Sequence, residues 1–297
     1  MKRVFWIVAI SLAGLVGGYF LVIPRLGQAG DVSIDDTIAG DTKRGAYVAT
    51  AAGCYTCHTD DKGKGEPFAG GRALKTPFGT IHVPNITPDK ETGIGGWSLL
   101  EFKRALTAGV APNGTHYYPA FPYTSYASMT DQDTADLKSY FDALDPVSRE
   151  TGPPELFWPV SDRSFVGVWK LLNAPRKPID ADTGPAGAQI SRGGYLVEVL
   201  GHCGACHTQR SRLGGFTGPP LGGNTRGPGG GKVPGLRALG RKWSADDIAS
   251  YLSDGMTPDG DFVGGEMAHV IDHSTGKMSE TDRAAIAAYL VGLAEDG

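Results

Sequence analysis

Cys54-Tyr55-Thr56-Cys57-His58 and Cys203-Gly204-Ala205-Cys206-His207 decide how this sequence is interpreted. In both stretches two cysteines lie three positions apart, and a histidine follows the second cysteine directly. Residues i and i+3 of a helical turn point the same way, so both thiols of one stretch can add to the two vinyl groups of a single porphyrin. The next residue then offers an imidazole to the iron. The sequence therefore predicts two haem c groups, attached through Cys54, Cys57, Cys203 and Cys206 and ligated by His58 and His207.

Other uses of paired cysteines fit the chain less well. A thioredoxin-like pair is expected in a βαβ setting and needs no histidine directly after it. A four-cysteine zinc site would have to bring the pairs together across 149 residues, although each pair lies in its own repeat. Two disulfides are possible by count, but the spacing favours haem attachment.

The chain repeats itself around these motifs. Arg44-Gly45-Ala46-Tyr47 precedes the first motif, and Arg192-Gly193-Gly194-Tyr195 precedes the second. Trp97-Ser98 and Trp243-Ser244 each open a stretch of helical periodicity, and each half closes with another capped helix. We expect Tyr47, Tyr195, Trp97 and Trp243 to pack against haem, because large aromatic side chains are common in such cores.

This repeat predicts an all-α fold of tandem helical haem modules. The 44 glycines and 20 prolines among 297 residues favour short helices joined by long loops over a sheet-rich design. Module 1 is expected over residues 27–150 and module 2 over 187–297. Between them, residues 151–186 form a proline-rich linker with a short helix from Phe165 to Leu172. Modules of about 100 residues would need haem to complete their cores.

The N-terminal residues 1–26 are predicted to form a transmembrane anchor. Val4 to Ile23 is an uncharged, largely apolar run of 20 residues, long enough for a bilayer core of about 30 Å. Lys2 and Arg3 predict a cytoplasmic N-terminus. The alternative is a long signal peptide cleaved after Gly27-Gln28-Ala29. An anchor here predicts a single-pass protein of the bacterial inner membrane with both haem modules in the periplasm.

Methionine is the common sixth ligand of electron-transfer haem c. For haem 1 the sequence favours Met129, just before the closing helix of module 1. His116 is the rival and would give a bis-histidine haem, whereas His82 is a weaker candidate. For haem 2, repeat alignment favours Met278, at the position equivalent to Met129.

Two further methionines compete for haem 2. Met267 lies in the run Gly264-Gly265-Glu266-Met267-Ala268, which reads as a glycine-flanked loop able to bring a thioether over the ring. Met256 follows the middle helix of module 2 and ranks third. His202, His269 and His273 are expected at the surface or beside ligands rather than on iron.

Further motifs carry a family resemblance. They are Asn85-Ile86-Thr87-Pro88-Asp89, Gly93-Ile94-Gly95-Gly96-Trp97-Ser98 and Tyr118-Pro119-Ala120-Phe121-Pro122-Tyr123. With the haem motifs, they resemble the multi-haem cytochrome c subunits of membrane-bound periplasmic alcohol, aldehyde and gluconate dehydrogenases. The resemblance implies that these loops fold over haem and that electrons pass from the dehydrogenase to quinone or an oxidase. The G-x-M-A stretch of that family, which carries a ligand methionine, matches Gly265 to Ala268, so Met267 is preferred to Met278.

The chain departs from that family in two ways. Those subunits typically carry three haems, whereas this chain has two attachment motifs. Many members have methionine in Y-P-A-M-P-Y where this chain has Phe121, so that ligand does not carry over and Met129 is inferred in its place.

These features predict an electron carrier that does no bond chemistry of its own. Its expected partners are a periplasmic dehydrogenase or the subunits of a respiratory complex, with a terminal oxidase or soluble carrier as acceptor. The alternative is a haem enzyme of the dihaem peroxidase or thiosulfate-oxidising type that uses haem 1. The net charge of −4 and the lack of basic runs beyond the first residues argue against a nucleic-acid partner.

Overall fold

The computed structural model describes residues 32–173 and 187–295. Module 1 contains helices α1 to α5, and helix α6 follows it. Module 2 contains α7 to α11, and α7 runs directly into a π-helical stretch at Tyr195–Leu200. In chain order the helices are α1 Thr42–Ala51, α2 Cys54–His58, α3 Leu99–Ala108, α4 Tyr123–Tyr126, α5 Asp131–Asp142, α6 Ser164–Asn173, α7 Gly187–Gly194, α8 Gly204–His207, α9 Ala245–Asp254, α10 Gly265–His273 and α11 Glu280–Glu295.

The middle helices begin where the sequence predicts. The Ser98 hydroxyl accepts from the backbone of Glu101, whose carboxylate accepts from the Ser98 backbone, and Ser244 and Asp247 repeat this capping box at α9. Two donors that would otherwise lack partners are satisfied at each helix start. Gly109 ends α3 in the left-handed conformation, as glycine tolerates it without a steric penalty.

In each module the first and last helices cross at a glycine. A Cβ on Gly45 would lie 1.9 Å from the Asp136 carbonyl oxygen, and a Cβ on Gly193 would lie 2.0 Å from that of Ala285. No larger residue fits without separating the helices. Both crossings place the attachment motif that follows the first helix beside the closing helix.

The mostly helical architecture is confirmed, but the all-α prediction omitted a small antiparallel sheet. Strands β1 Ala73–Thr76, β2 Gly79–His82 and β3 Glu155–Leu156 pair in the order β1-β2-β3. The first two form a hairpin in which Thr76 opposes Gly79, and Gly79 also opposes Leu156. The strands were missed because they are short and largely exposed or half-buried, so they lack a clear period-two apolar pattern.

Helix α6 contacts both modules. The ammonium group of Lys170 donates to the carbonyl oxygens of Ala108 and Gly109 at the end of α3, each at 2.7 Å. On the other side, the Trp169 indole donates to the carbonyl oxygen of Leu213 in module 2 at 2.7 Å.

None of the helices in the described ranges is long and apolar enough to cross a bilayer. The predicted anchor, residues 1–26, and its alternative cleavage site lie outside these ranges, as do residues 174–186 of the linker.

Candidate functional site

The attachment cysteines occupy equivalent positions in the two modules. Cys54 begins α2 and Cys203 caps α8, and each lies one turn from its partner, Cys57 or Cys206. All four are free thiols, so no disulfide competes with haem attachment. Burial raises the pKa of Cys54 to about 12, and the same cause raises that of Cys203 to about 12. The thiols therefore stay protonated at neutral pH and available for thioether formation.

The two motif histidines are oriented by backbone carbonyls. His58 Nδ1 lies 2.8 Å from the oxygen of Pro84, and His207 Nδ1 lies 2.7 Å from that of Pro234. A carbonyl only accepts, so Nδ1 must carry the proton in both rings. The lone pair is then on Nε2, the nitrogen that each ring can offer to iron. Burial lowers the pKa of His58 to about 4 and also lowers that of His207, which keeps both imidazoles neutral.

Each motif is also held by an arginine from its own module. The Arg72 guanidinium donates to the carbonyl oxygen of Thr56, and Arg210 donates to that of Ala205 at 3.1 Å. These carbonyls lie between the cysteines of each pair. Arg72 also forms an ion pair at 2.8 Å with Glu266 of module 2. The sequence analysis did not predict these arginines, because they do not occupy equivalent positions in the repeat.

The methionines separate into buried and exposed candidates. Met129 and Met278 are 5% and 4% exposed and directly precede the residues that lead into α5 and α11. Met256 is 44% exposed, at the far end of α9. Met267 is half-buried and packs against the core. The assignments of Met129 and Met267 to iron stay predictions.

The predicted loop around Met267 is wrong. Met267 lies in the first turn of α10, which begins at Gly265 with φ +65°. Glu266 in the first turn suits a helix N-terminus, and the buried Ile271 lies one turn after Met267 on the same side. The two flanking glycines mask this helical start in the sequence.

The histidine rivals for haem 1 have distinct environments. His116 is 2% exposed and opposes Val110 in the turn that follows α3. His82 lies on β2 and forms an ion pair at 3.3 Å with Glu155. Phe121, at the position where the family resemblance leads one to expect methionine, packs edge-on against Tyr117 and Tyr126.

The predicted haem-packing aromatics divide into two groups. Trp97 and Trp243 are half-buried against the core, each one residue before a capping box. Tyr47 and Tyr195 instead send their hydroxyls into the opposite module. The Tyr47 hydroxyl donates to Asp282 at 2.6 Å, and the Tyr195 hydroxyl donates to Asp133 at 2.5 Å. We call Tyr47, Asp133, Tyr195 and Asp282 the inter-module seam.

The seam touches the segments that carry the buried methionines. The backbone N–H of Ser279, next to Met278, donates to the Tyr47 hydroxyl at 3.1 Å. The N–H of Thr130, next to Met129, donates to the Tyr195 hydroxyl at 3.2 Å. Each module therefore positions the other module's closing-helix start. The sequence held one signal for this: an aspartate stands three residues after both Thr130 and Ser279.

The two attachment sites are close to each other. The Tyr126 hydroxyl donates to the carbonyl oxygen of Ala52, two residues before Cys54, and lies 3.5 Å from Nδ1 of His202, the neighbour of Cys203. The residues present thus fit two haem c groups with adjacent attachment edges.

Comparison with known proteins agrees with this geometry. The family model for cytochrome c matches residues 42–145. A diheme cytochrome c-type protein of Cereibacter sphaeroides is 45% identical over 258 residues, which cover 85% of this chain and 86% of that protein. The gluconate 2-dehydrogenase cytochrome c subunit of Pantoea cypripedii is 40% identical, and the cytochrome c subunit of the quinone alcohol dehydrogenase of Gluconobacter oxydans is 39% identical. The matches cover 90% and 95% of this chain but 63% and 60% of those subunits.

Paired cysteines, oriented imidazoles and a diheme relative of nearly equal length lead to one assignment. The chain belongs to the family of c-type cytochromes that includes diheme cytochrome c and the cytochrome subunits of gluconate and alcohol dehydrogenases, and it transfers electrons through two haem c groups.

Proposed function

We propose that this cytochrome is a membrane-anchored periplasmic relay that takes electrons from a dehydrogenase and delivers them to a respiratory acceptor. The contact between the two attachment segments, through Tyr126 and His202, supports the proposal most directly. Haem c supplies a one-electron couple when bound, and adjacent attachment edges favour transfer between two such groups.

The chain's own residues hold the groups rather than react. His58 and His207 each offer one nitrogen fixed by a carbonyl, and Met129 and Met267 are the thioethers proposed as sixth ligands, which favour a high potential. An arrangement of this kind suits outer-sphere electron transfer.

A dehydrogenase donor is supported by the relatives. Three of them are named as cytochrome subunits of gluconate, alcohol and fructose dehydrogenases. This chain spans about 60% of the first two, so their whole activity does not carry over directly. We take from them the class of donor, a dehydrogenase that oxidises a small hydroxylated substrate.

The relay is tested by transient reduction of the purified holoprotein. A photochemical reductant should reduce one haem in a fast second-order phase, and a first-order phase independent of protein concentration should follow as the electron equilibrates. Carbon monoxide should not bind either ferrous haem. Binding at haem 1 would favour the enzyme alternative, and loss of the first-order phase would contradict the relay.

The donor and the anchor need separate tests. A purified gluconate or alcohol dehydrogenase with its substrate should reduce the cytochrome, and omission of the substrate is the control. The intact chain should stay with membranes after a high-salt wash and leave them in detergent. A mature chain that begins after Ala29 and is released by the salt wash would contradict the anchor.

A further inference from the structure

A cluster of two histidines and one aspartate lies between the modules, beside the first attachment motif. Asp61 belongs to the loop that follows α2, and His269 and His273 lie on α10. One ligand atom from each of the three residues lies within 4.8 Å of the others. The cluster therefore draws its atoms from both modules.

The local structure orients the cluster. His269 and His273 are four residues apart on one face of α10, and their rings are stacked with 6.2 Å between centroids and 11° between planes. His273 Nε2 lies 3.4 Å from Asp61 Oδ2. The other carboxylate oxygen of Asp61 accepts a hydrogen bond from the Tyr55 hydroxyl at 3.0 Å, and the Tyr55 ring packs on His273 at 4.8 Å.

We propose that Asp61, His269 and His273 form a binding site for a divalent transition-metal ion such as Zn²⁺. Two imidazoles and one carboxylate are a ligand set that zinc accepts, with water completing a four-coordinate shell. Tyr55 holds the carboxylate as an outer-shell partner, the role that usually fixes a ligand's orientation. Asp61 is exposed, so an ion and its water can enter from solvent.

An ordinary ion pair between His273 and Asp61 is the alternative explanation. The chain contains a matched example in His82 and Glu155, which lie 3.3 Å apart and, among the described residues, belong to no group of three possible metal ligands. His269 distinguishes the two cases, because an ion pair does not need it. The proposed ion would instead join module 1 to α10, next to the ion pair of Arg72 with Glu266.

The test is calorimetric titration of the purified dihaem protein with Zn²⁺, since the haem-bound cysteines and histidines are then unavailable. We expect one site per chain and a rise in the midpoint of thermal unfolding with zinc concentration. H269Q should abolish this binding or weaken it at least tenfold. Y55F, which removes only the outer-shell hydroxyl, should weaken it roughly 10-fold. H82Q should bind as the wild type does.

Location is tested independently of affinity. Crystals soaked in Zn²⁺ should show an anomalous peak at the zinc edge among the three side chains, separate from the iron peaks. Equal zinc affinity in H269Q and wild type, or a peak elsewhere, would overturn the proposal. No saturable binding by the wild type would also overturn it and leave the ion pair as the explanation.

Discussion

Replacing the seam tyrosines by phenylalanine should weaken the contact between the modules. Tyr47→Phe removes a hydrogen bond of 2.6 Å to the Asp282 carboxylate, and Tyr195→Phe removes one of 2.5 Å to Asp133. Hydrogen bonds to charged groups contribute about 1.5–3 kcal/mol each. Both aspartates keep other partners or reach solvent, so we expect the lower part of that range. The double variant should lose about 3–4 kcal/mol of unfolding free energy, because contributions from separate contacts are additive.

The assay is chemical denaturation of the holoprotein, combined with hydrogen exchange read by mass spectrometry on peptides from each module. In the wild type we expect both modules to unfold in one transition. In the double variant the transitions should separate, because contacts between modules supply the coupling. Tyr251→Phe is the matched control: Tyr251 packs on Trp243, and its ring contributes without a seam hydrogen bond.

The seam does not couple the modules if both seam variants lose no more unfolding free energy than Tyr251→Phe does. The same conclusion holds if the double variant loses stability but the modules still unfold together. In that case helix α6 and the other contacts between the modules would account for the coupling, and the seam hydrogen bonds would not contribute to it.

Other predictions address single features. Cys203→Ala should weaken or remove attachment of one haem and leave the other, as measured by intact mass and pyridine haemochrome spectra; an unchanged covalent haem content together with an unshifted haemochrome band would contradict the assignment. Gly193→Ala should lower the unfolding free energy by about 1–3 kcal/mol, because the added Cβ forces the two helices apart. Gly292→Ala is the control, since nothing lies near its Cβ, and it should be neutral or stabilising by about 1 kcal/mol. Thermal melts measure both effects. Burial alone would raise the pKa of Asp136, but hydrogen bonds led by Arg44 hold it below 3.8. This carboxylate therefore adds stability above pH 3.8 that is lost as pH falls through the folded pKa, and D136N should flatten that acid limb.

The sequence predicts the local structure well where one residue carries a strong signal. The haem motifs and the Ser98 and Ser244 helix starts each depend on neighbours within four residues, and such signals survive folding. The seam was missed because its partners are 235 and 62 positions apart, and a repeat does not reveal which copy a side chain contacts. The helix at Met267 was missed because glycines flank its start.

The exchanged tyrosines link the two similar modules through hydrogen bonds. Each tyrosine follows the helix-crossing glycine of its own module, which fixes where the ring leaves the helix. Each hydroxyl then contacts the segment next to Met129 or Met278 in the other module. One short helix therefore contacts both the attachment motif of its own module and the segment next to the buried methionine of the other module. A shift of α1 would consequently affect both sites, even though the repeat gives each module its own attachment motif.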